Sequence, residues 1–572
     1  MILGNHLTTH KFYILNCRIG CSFRAVQTSL KTIFLVAFVL LAGYSFSQTF
    51  TSSNLPVIVI NTNGQAILNE PKITADMGIV YNGVGVRNNV TDPFNNFSGK
   101  IGIELRGSTS QAFFPKKQYG IELRDAVGQS IDASLLGLPK KDDWVLFAPY
   151  NDKSLMRDVL AYKLGRDLGR YASRYRYCEL VLNGQYQGIY VLLEKVKRDK
   201  NRVNIDKLDP AEITGDNLTG GYIIKLDKTE GSGGQGWTSG YPPLGRKGNQ
   251  TIYFQYEYPK QEDIATEQKL YIKDYMSAFE NALAGNSFKD PNTGYAKYID
   301  VDSFVDYFIA NEISRNPDAY RLSTFIHKKK DSEGGKIAMG PIWDFNLGFG
   351  NVDFCAKGNP EGFIIHYNSI CSDDFWLLPF WWSKLFQDEA FKTKVSTRWS
   401  SLRAGVYQTT KVMTFIDSVA AELNKESQQR NFQRWPLLGQ YVWPNSYVGQ
   451  TFQQEVDWLK DWVNKRLNWL DVNIPNVVTG LETSQTKQGF SWRVYPNPSA
   501  GEVKIQYEAD EPGRIVVQLF DASGRRLELS ERVLSEPGEY SMNFASSNLA
   551  PGLYLVQVHF GGRQQFEKIL VR

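Results

Sequence analysis

Two periodicities of hydrophobic positions divide the chain. Short runs in which apolar and polar residues alternate, bounded by Gly, Asn and Pro clusters, predict β-strands. The predicted strands are 57–60, 101–105, 178–194 (with a hairpin turn at Asn183-Gly184), 221–227 and 323–327. Apolar residues that recur every three or four positions predict helices instead. The predicted helices are 154–170 (with Ser154 as its N-cap), 262–283, 302–314 and the stretch from about 382 to 470. This mixture predicts an α+β domain that ends near residue 475.

A different pattern follows this domain. Residues 476–490 are polar and lack periodicity, which indicates a linker. Short alternating strands then recur at intervals of about ten residues up to the carboxyl terminus, for example at 503–505, 516–520 and 552–558. Short strands at this spacing predict a small all-β sandwich over residues 491–572.

The amino terminus carries a targeting pattern. Lys31 precedes an apolar run of about 12 residues, which is too short to span a bilayer and typical of the core of a signal peptide. We therefore expect residues 1–48 to be removed and residue 49 to begin the folded domain, with no stable membrane span after cleavage. The alternative interpretation is a single membrane anchor.

Charge and cysteine content narrow the function classes. The formal net charge is +4, but the first 48 residues hold four basic residues and no acid, so the remainder is neutral. A neutral chain offers no electrostatic footprint for nucleic acid, and we expect no nucleic-acid partner. Cys355 and Cys371 bracket a short loop and are candidates for one disulfide outside the cytoplasm, whereas Cys178 fits a buried strand. The sequence contains no Cys-x-x-Cys pair, so it does not predict a structural zinc site.

Asp344 and Asn346 are the first candidates for chemistry. A short apolar stretch, Ile342-Trp343, runs into Asp344, and residues i and i+2 at a strand end project to the same face. Two oxygen ligands on one face suit a hard cation such as Mg²⁺. The alternative interpretation is a strand end capped by an Asx turn.

Asp318 is the second candidate. Pro317 cannot continue the helix predicted over 302–314, so Asp318 is expected on a loop just past the helix end. A loop Asp followed by a strand-end Asp is typical of phosphoryl transfer: one carboxylate orients or deprotonates the acceptor hydroxyl, and the other holds metal on the phosphates.

Ordered motifs around these residues resemble the CotH kinase family, atypical protein kinases first known from bacterial spore coats. Besides the Asp344 segment, the matching motifs are 102–110, 114–123, 135–146, 151–157, 182–190 and 194–199. Many relatives read Trp-Asp-x-Asp where this chain has the uncharged Asn346. The resemblance implies an atypical kinase-like domain over residues 49–475 that uses ATP and Mg²⁺.

The remaining candidates concern the nucleotide. Arg106 and Ser108 lie in an Arg-Gly-Ser-Thr-Ser run whose glycine and hydroxyls suit an anion, although a plain polar hairpin loop fits too. Lys117 is expected on an apolar strand face, where its ammonium needs phosphate or Glu194 as a partner. A snorkelling Lys117, and a solvated charge run for Glu194 and Lys197, are the alternatives. The choice of Lys117 over Lys116 rests on alternation.

The carboxy-terminal sandwich resembles the type A sorting domain of the type IX secretion system of Bacteroidetes. The matching motifs are Tyr-Pro-Asn-Pro at 495–498, Asp-Ala-Ser-Gly-Arg at 521–525, Leu-Ala-Pro-Gly-Leu-Tyr at 549–554 and the terminal 568–572. This resemblance implies passage through the periplasm by the type IX machinery, and a secreted or outer-membrane-attached location.

The combined prediction is an exported atypical kinase that transfers the ATP γ-phosphoryl group to Ser or Thr of an extracytoplasmic protein. In it Asp318 orients the acceptor, Asp344 and Asn346 hold Mg²⁺, and the Arg106 and Lys117 side chains contact phosphates. One alternative is a non-catalytic pseudokinase that acts as a surface adhesin or structural protein. Another is a secreted glycan hydrolase, which no sequence motif supports.

Overall fold

The fold is described from a computed structural model that covers residues 50–229, 235–355, 357–478, 490–499, 501–509, 512–521, 525–560 and 563–571. Residues 53–572 form one compact unit. The predicted signal peptide, most of the predicted linker, and parts of the glycine-rich 231–236 and 521–524 segments lie outside the described residues.

The amino-terminal strands close into a β-barrel. Its strand order is β2-β3-β5-β6-β7-β9-β8, with β2 and β8 parallel and the other neighbours antiparallel. The elements are β1 (Ser52–Ser53), β2 (Val57–Asn61), β3 (Ile73–Val80), β4 (Asn88–Asn89), β5 (Phe97–Arg106), α1 (Thr109–Phe113), β6 (Gln118–Arg124), β7 (Asp143–Phe147), α2 (Arg157–Asp167), β8 (Tyr175–Leu182) and β9 (Gln185–Glu194). The predicted Asn183-Gly184 hairpin turn joins β8 to β9.

Alternation along these strands sorts side chains between two cores. On β7, Trp144 and Leu146 pack inside the barrel, whereas Val145 and Phe147 join the large core shared with the helices. Residues two apart on a strand share a face, so each barrel strand serves both cores. This is why the barrel strands read as almost continuously apolar.

A five-stranded antiparallel sheet follows, in the order β11-β12-β10-β13-β14. The elements are α3 (Gly215–Leu218), β10 (Tyr222–Leu226), β11 (Gly236–Thr238), β12 (Tyr253–Tyr258), α4 (Thr266–Ala284), α5 (Val301–Ser314), β13 (Thr324–Lys328), β14 (Ile337–Met339), α6 (Tyr367–Ile370), α7 (Trp381–Leu385), α8 (Glu389–Ala404), α9 (Thr409–Asn424), α10 (Ser427–Arg434) and α11 (Phe452–Val478). The aromatic residues of the predicted helical region, such as Trp381, Trp382 and Trp399, are buried in the large core.

Helix α10 covers one side of the barrel. The Asn431 Oδ1 atom accepts hydrogen bonds from the Lys116 Nζ at 2.9 Å and from the Ile189 backbone N–H at 3.1 Å. Gly188, with φ +94°, leaves the space that Asn431 occupies, since a Cβ there would lie 2.5 Å from its Oδ1. Lys116 Nζ also donates to the Ile189 carbonyl at 2.6 Å, so this buried lysine takes one partner from strand β9 and another from a helix far along the chain.

Two local predictions are wrong. Ser154 is not an N-cap: its hydroxyl donates to Asp152 Oδ1 at 2.6 Å, and α2 begins three residues later. No strand runs into Asp344, because β14 ends at Met339 and the chain continues as an irregular segment through Pro341.

The carboxy-terminal region is all-β, as predicted. Its strands are β15 (Phe490–Tyr495), β16 (Glu502–Ala509), β17 (Gly513–Phe520), β18 (Arg526–Leu534), β19 (Gly538–Ala545), β20 (Gly552–Phe560) and β21 (Arg563–Val571). They form sheets β15-β16-β19 and β18-β17-β20-β21 around their own apolar core. The α+β class with a carboxy-terminal β-sandwich is thus confirmed. Of the helices that the structure describes, none has the length and apolar character needed to cross a bilayer.

Candidate functional site

Asp344 lies in a group of carboxylates. Burial, followed by the Asp318 and Asp227 carboxylates, raises the pKa of Asp344 to about 7, and the Arg106 and Lys228 cations oppose that rise. We call Asp227, Asp318 and Asp344 the acidic group. Two carboxylates that raise the pKa of a third favour a cation bound beside it.

The backbone holds Asp344 in an unusual conformation. Its φ is +65°, in the left-handed region that Asp tolerates better than most residues. The Asp344 N–H donates to the Tyr162 hydroxyl at 3.3 Å, and the Phe345 N–H donates to Asp158 Oδ1 at 2.8 Å. Helix α2 therefore fixes this turn, in place of the strand end that the sequence predicted.

Asn346 is oriented from the same side. Its Nδ2 donates to Asn151 Oδ1 at 3.2 Å, and its backbone carbonyl accepts from Asn351 Nδ2 at 2.8 Å. In the part of the chain that the structure describes, no group of three or more His, Cys, Asp or Glu side chains is arranged to hold a metal ion. A metal at Asp344 would therefore need oxygen ligands from a substrate or water as well.

Asp318 lies on a loop past a helix end, as its sequence context indicates. Helix α5 ends at Ser314, and Arg315 takes the left-handed conformation with φ +46°. The Asp318 carboxylate accepts from Arg321 Nη2 at 2.8 Å and keeps about a fifth of its side chain exposed. Asn316 Nδ2 reaches the Asp344 carbonyl, so the two loops are joined.

Asp227 and Lys228 were missed by the sequence analysis. They directly follow β10, the strand that pairs with β13 in the central sheet. Lys228 Nζ donates to Thr109 Oγ1 at 3.1 Å, which connects the sheet to the Arg-Gly-Ser-Thr-Ser run of the barrel. The signal available in the sequence was a carboxylate placed immediately after a buried apolar strand.

Arg106 ends strand β5 beside the acidic group. Its guanidinium carbon lies 5.3 Å from the centroid of the Trp343 ring, one residue before Asp344. Ser108 is exposed at the start of the short helix α1 and makes no side-chain cap. Gly107 has φ +91°, and a Cβ there would clash with the Ser110 hydroxyl.

Lys117 does not take the predicted role. It precedes β6, and its Nζ donates to the carbonyls of Gln111 at 2.6 Å and Phe114 at 2.8 Å, so it caps the carboxyl end of α1. Glu194 is fully buried and pairs with Arg174, whose Nη2 lies 2.8 Å from its Oε1, and with Arg202. A Lys117–Glu194 pair is therefore wrong.

Lys197 and its neighbour Lys195 converge on Asp143. Lys197 Nζ lies 2.8 Å from Asp143 Oδ2, and Lys195 Nζ lies 3.8 Å from Oδ1. Burial lowers the pKa of Lys195 to about 8, with Asp143 opposing and the Arg106, Lys197 and Lys72 cations adding to the decrease. Asp143 is the first residue of strand β7.

Further cations surround Lys195. Lys72 Nζ lies 3.6 Å from a Glu104 carboxylate oxygen. Glu257 pairs with Lys225 at 3.4 Å and with Lys260 at 3.2 Å. Although burial opposes the change, the Lys260, Lys225 and Lys195 cations lower the pKa of Glu257. The cationic group comprises Lys72, Arg106, Lys195, Lys197, Lys225 and Lys260, set against the carboxylates of Glu104, Asp143 and Glu257. Cations exceed carboxylates there, and Arg106 adjoins the acidic group as well.

Comparison with known proteins agrees with this architecture. A family model described as "CotH kinase protein" matches residues 103–470, and one described as "Secretion system C-terminal sorting domain" matches residues 493–572. A search of curated proteins finds no match. Among solved structures, the crystal structure of dimeric latent PorU from Porphyromonas gingivalis aligns at 17% identity with a TM-score of 0.13, over 14% of this chain and 9% of that chain.

Proposed function

The chain belongs to the CotH kinase protein family, and from that premise we propose that it transfers the γ-phosphoryl group of ATP to Ser or Thr hydroxyls of extracytoplasmic proteins. The observation that carries the proposal is the position of Arg106. This side chain lowers the pKa of Asp344, in the acidic group, and that of Lys195, in the cationic group. Arg106 therefore acts on both groups from the end of strand β5, where its guanidinium carbon also lies 5.3 Å from the ring of Trp343, the residue before Asp344.

Mg-ATP complements both groups. A triphosphate is a compact polyanion that matches the excess of cations around Lys195. Mg²⁺ prefers carboxylate, amide and phosphate oxygens, and the acidic group with Asn346 supplies the protein share of such a set. In this arrangement Asp344 and Asn346 would hold Mg²⁺, which would supply positive charge to the phosphates, and Arg106 and Lys195 would contact phosphate oxygens.

Asp318 is the group suited to the acceptor. The acceptor hydroxyl oxygen forms a bond to the γ-phosphorus as the bond to the β–γ bridging oxygen breaks, so ADP leaves. The hydroxyl proton passes to the Asp318 carboxylate, which is partly exposed on its loop. Of the other predicted residues, Ser108 lies two residues after Arg106 at the start of α1, and its exposed hydroxyl remains a candidate hydrogen-bond donor to phosphate. Lys117, Glu194 and Lys197 already have protein partners.

The second domain determines where this chemistry takes place. The sorting domain indicates export by type IX secretion, to the cell surface or to the medium. We propose residues 49–475 as the kinase-like domain, 476–490 as the linker and 491–572 as the sorting domain. The protein substrate would then be met outside the cytoplasm.

A pseudokinase is the second candidate, and Asn346 favours it. An amide oxygen is an uncharged ligand, weaker for Mg²⁺ than a carboxylate. Calorimetry with Mg-ATP and phosphate incorporation into a Ser-rich protein, both on residues 49–572, separate the candidates. Binding with incorporation supports the kinase. Binding alone indicates a pseudokinase, and absence of binding contradicts the nucleotide site.

A further inference from the structure

Arg321 is almost fully buried beside Asp318, with 5% of its surface exposed. Its Nε–H donates to the Pro317 carbonyl at 2.8 Å, and its Nη1 donates to the Trp376 carbonyl at 3.1 Å. Its Nη2 donates to Asp318 Oδ1 at 2.8 Å, and Nη1 lies 3.3 Å from Asp374 Oδ2. One guanidinium thus binds the loop backbone, the carboxylate of that loop and a second carboxylate at once.

A disulfide-closed segment supports Arg321 from the other side. The Tyr367 ring lies under the guanidinium, 4.2 Å from its carbon, and the Tyr367 hydroxyl donates to Asp374 Oδ2 at 2.5 Å. Cys355 and Cys371 form a disulfide around Tyr367, and Cys355 Sγ lies 3.7 Å from the Tyr367 hydroxyl. The support of Arg321 therefore comes from residues 367–376, which this disulfide ties to the segment after Asp344.

We propose that Arg321 is the positioning residue of the Asp318 carboxylate, and that Tyr367, inside the disulfide-closed loop, and Asp374, three residues after it, keep Arg321 in place. This inference rests on the proposed kinase function. A planar guanidinium held at several nitrogens fixes both the position and the rotation of a carboxylate, which a single lysine contact does not. A carboxylate that receives a proton from an acceptor hydroxyl needs such a fixed geometry, since a displacement of about 1 Å costs on the order of 100-fold in rate.

The test uses the mature chain, residues 49–572, as wild type, Arg321→Ala and Arg321→Lys. We expect kcat for phosphate transfer to fall by about 100-fold in Arg321→Ala, with KM for ATP within a few-fold of wild type. Added guanidinium ion should restore part of the turnover of Arg321→Ala. Arg321→Lys should remain slow, because one ammonium cannot bind Asp318 and Asp374 together.

The matched control is Arg403→Ala. Arg403 forms a comparable ion pair with Asp471, at 2.8 Å, within the helical part of the chain. Its loss should lower stability without a selective fall in kcat or rescue by guanidinium. Turnover of Arg321→Ala within twofold of wild type, or a fall that guanidinium does not restore, would overturn the proposal.

Two further measurements keep the outcome decisive. If wild type transfers no phosphate, the kinase function fails, and crystal structures of wild type and Arg321→Ala then decide the inference. A shift of the Asp318 carboxylate by about 1 Å supports it, and an unmoved carboxylate overturns it. If Arg321→Ala does not fold, Asp374→Asn weakens the support while keeping the guanidinium, and the same kcat-selective fall is expected.

Discussion

Asn316 Nδ2 donates a hydrogen bond of 3.0 Å to the backbone carbonyl of Asp344. This bond joins the loop that carries Asp318 to the turn that carries Asp344, across 28 residues of sequence. The two carboxylates therefore lie on connected loops but differ in surroundings. Asp318 is paired with a buried arginine, and Asp344 is approached by two other carboxylates. Substitutions should separate their roles.

Asp344→Ala should abolish Mg-dependent nucleotide binding. Asn346 alone is a neutral ligand and does not offset the charge of the phosphates. Calorimetry with Mg-ATP on wild type and variant measures this. Asp302→Ala is the control, because Asp302 is an exposed helix residue paired with Lys394. Affinity equal to that of wild type in Asp344→Ala would remove Asp344 from the metal site.

Asp318→Asn should reduce turnover by roughly two to four orders of magnitude, the range for a lost general base. ATP affinity should stay within a few-fold, because the acceptor's base contributes to the transition state and little to ground-state nucleotide binding. Phosphate incorporation and ATP binding are measured on the same preparation. Wild-type turnover in Asp318→Asn would contradict the proposed mechanism. A loss of ATP binding equal to that in Asp344→Ala would indicate that Asp318 is a metal ligand.

Lys195→Met should weaken Mg-ATP binding by roughly 10- to 100-fold, the loss expected for a charged hydrogen bond of about 1.5–3 kcal/mol. Lys117→Met is the matched variant and should leave affinity unchanged, since Lys117 caps α1. Because the pKa of Lys195 is about 8, wild-type affinity should also fall as pH rises above 8 and the amine loses its charge. Titrations from pH 7 to 10 test this, and a pH dependence retained in Lys195→Met would assign it elsewhere.

Glu280 should make the free energy of unfolding decrease as pH rises from 4.5 to 7. Burial raises its pKa to about 7, although Ser239 and Trp381 donate hydrogen bonds to it. In that range the native state holds a proton that the unfolded state has lost, so the free energy of unfolding decreases as pH rises. Glu280→Gln mimics the protonated form and should be more stable than wild type at pH 8, by up to about 3 kcal/mol. Denaturant melts at pH 5 and pH 8 compare the two, and equal pH slopes would contradict the assignment.

The Cys355–Cys371 disulfide should stabilise the fold. It closes a loop with a sequence separation of 16, for which the chain-entropy account gives about 3 kcal/mol. The double variant Cys355→Ser/Cys371→Ser, and wild type in reductant, should show similar losses in free energy of unfolding. Reductant should not change the free energy of unfolding of the double variant. Within residues 53–478 its one remaining cysteine is Cys178, which is buried and forms no disulfide. A further loss in reductant would indicate another bridge.

Much of the scaffold was predictable because its signals are local. The alternation at 101–105 corresponds to strand β5, and the Asn183-Gly184 turn joins strands β8 and β9. The helix before Pro317 ends at Ser314, as expected. The errors have long-range causes. The positive φ of Asp344 is stabilised by Tyr162, which lies 182 residues away. Lys117 could not be assigned by alternation, because the short helix α1 placed before β6 provides its partners.

The site residues that the sequence analysis missed share one property. Lys195 lies inside the 194–199 motif but was not singled out there, Asp227 and Arg321 were not named as candidates, and each of the three acquires a role from groups on other elements. Arg321 meets Asp374, 53 positions later, and Lys195 meets Asp143, 52 positions earlier. Such contacts depend on the packing of barrel, sheet and loops, which periodicity along a single chain does not contain.

The Asn431 contacts with the barrel bear on the order of folding. Lys116 is buried and receives its side-chain partner from a residue 315 positions later, and Asn431 binds Ile189 across 242 positions. Contacts of such high sequence separation slow folding, because the intervening chain must first be brought together. Lys116 Nζ also donates to the Ile189 carbonyl at 2.6 Å, so strand β9 supplies one partner of this ammonium and Asn431 supplies another. Because synthesis runs from the amino end to the carboxyl end, we expect the barrel to gain its full set of contacts only after residue 431 is available, which makes its final packing a late event in folding.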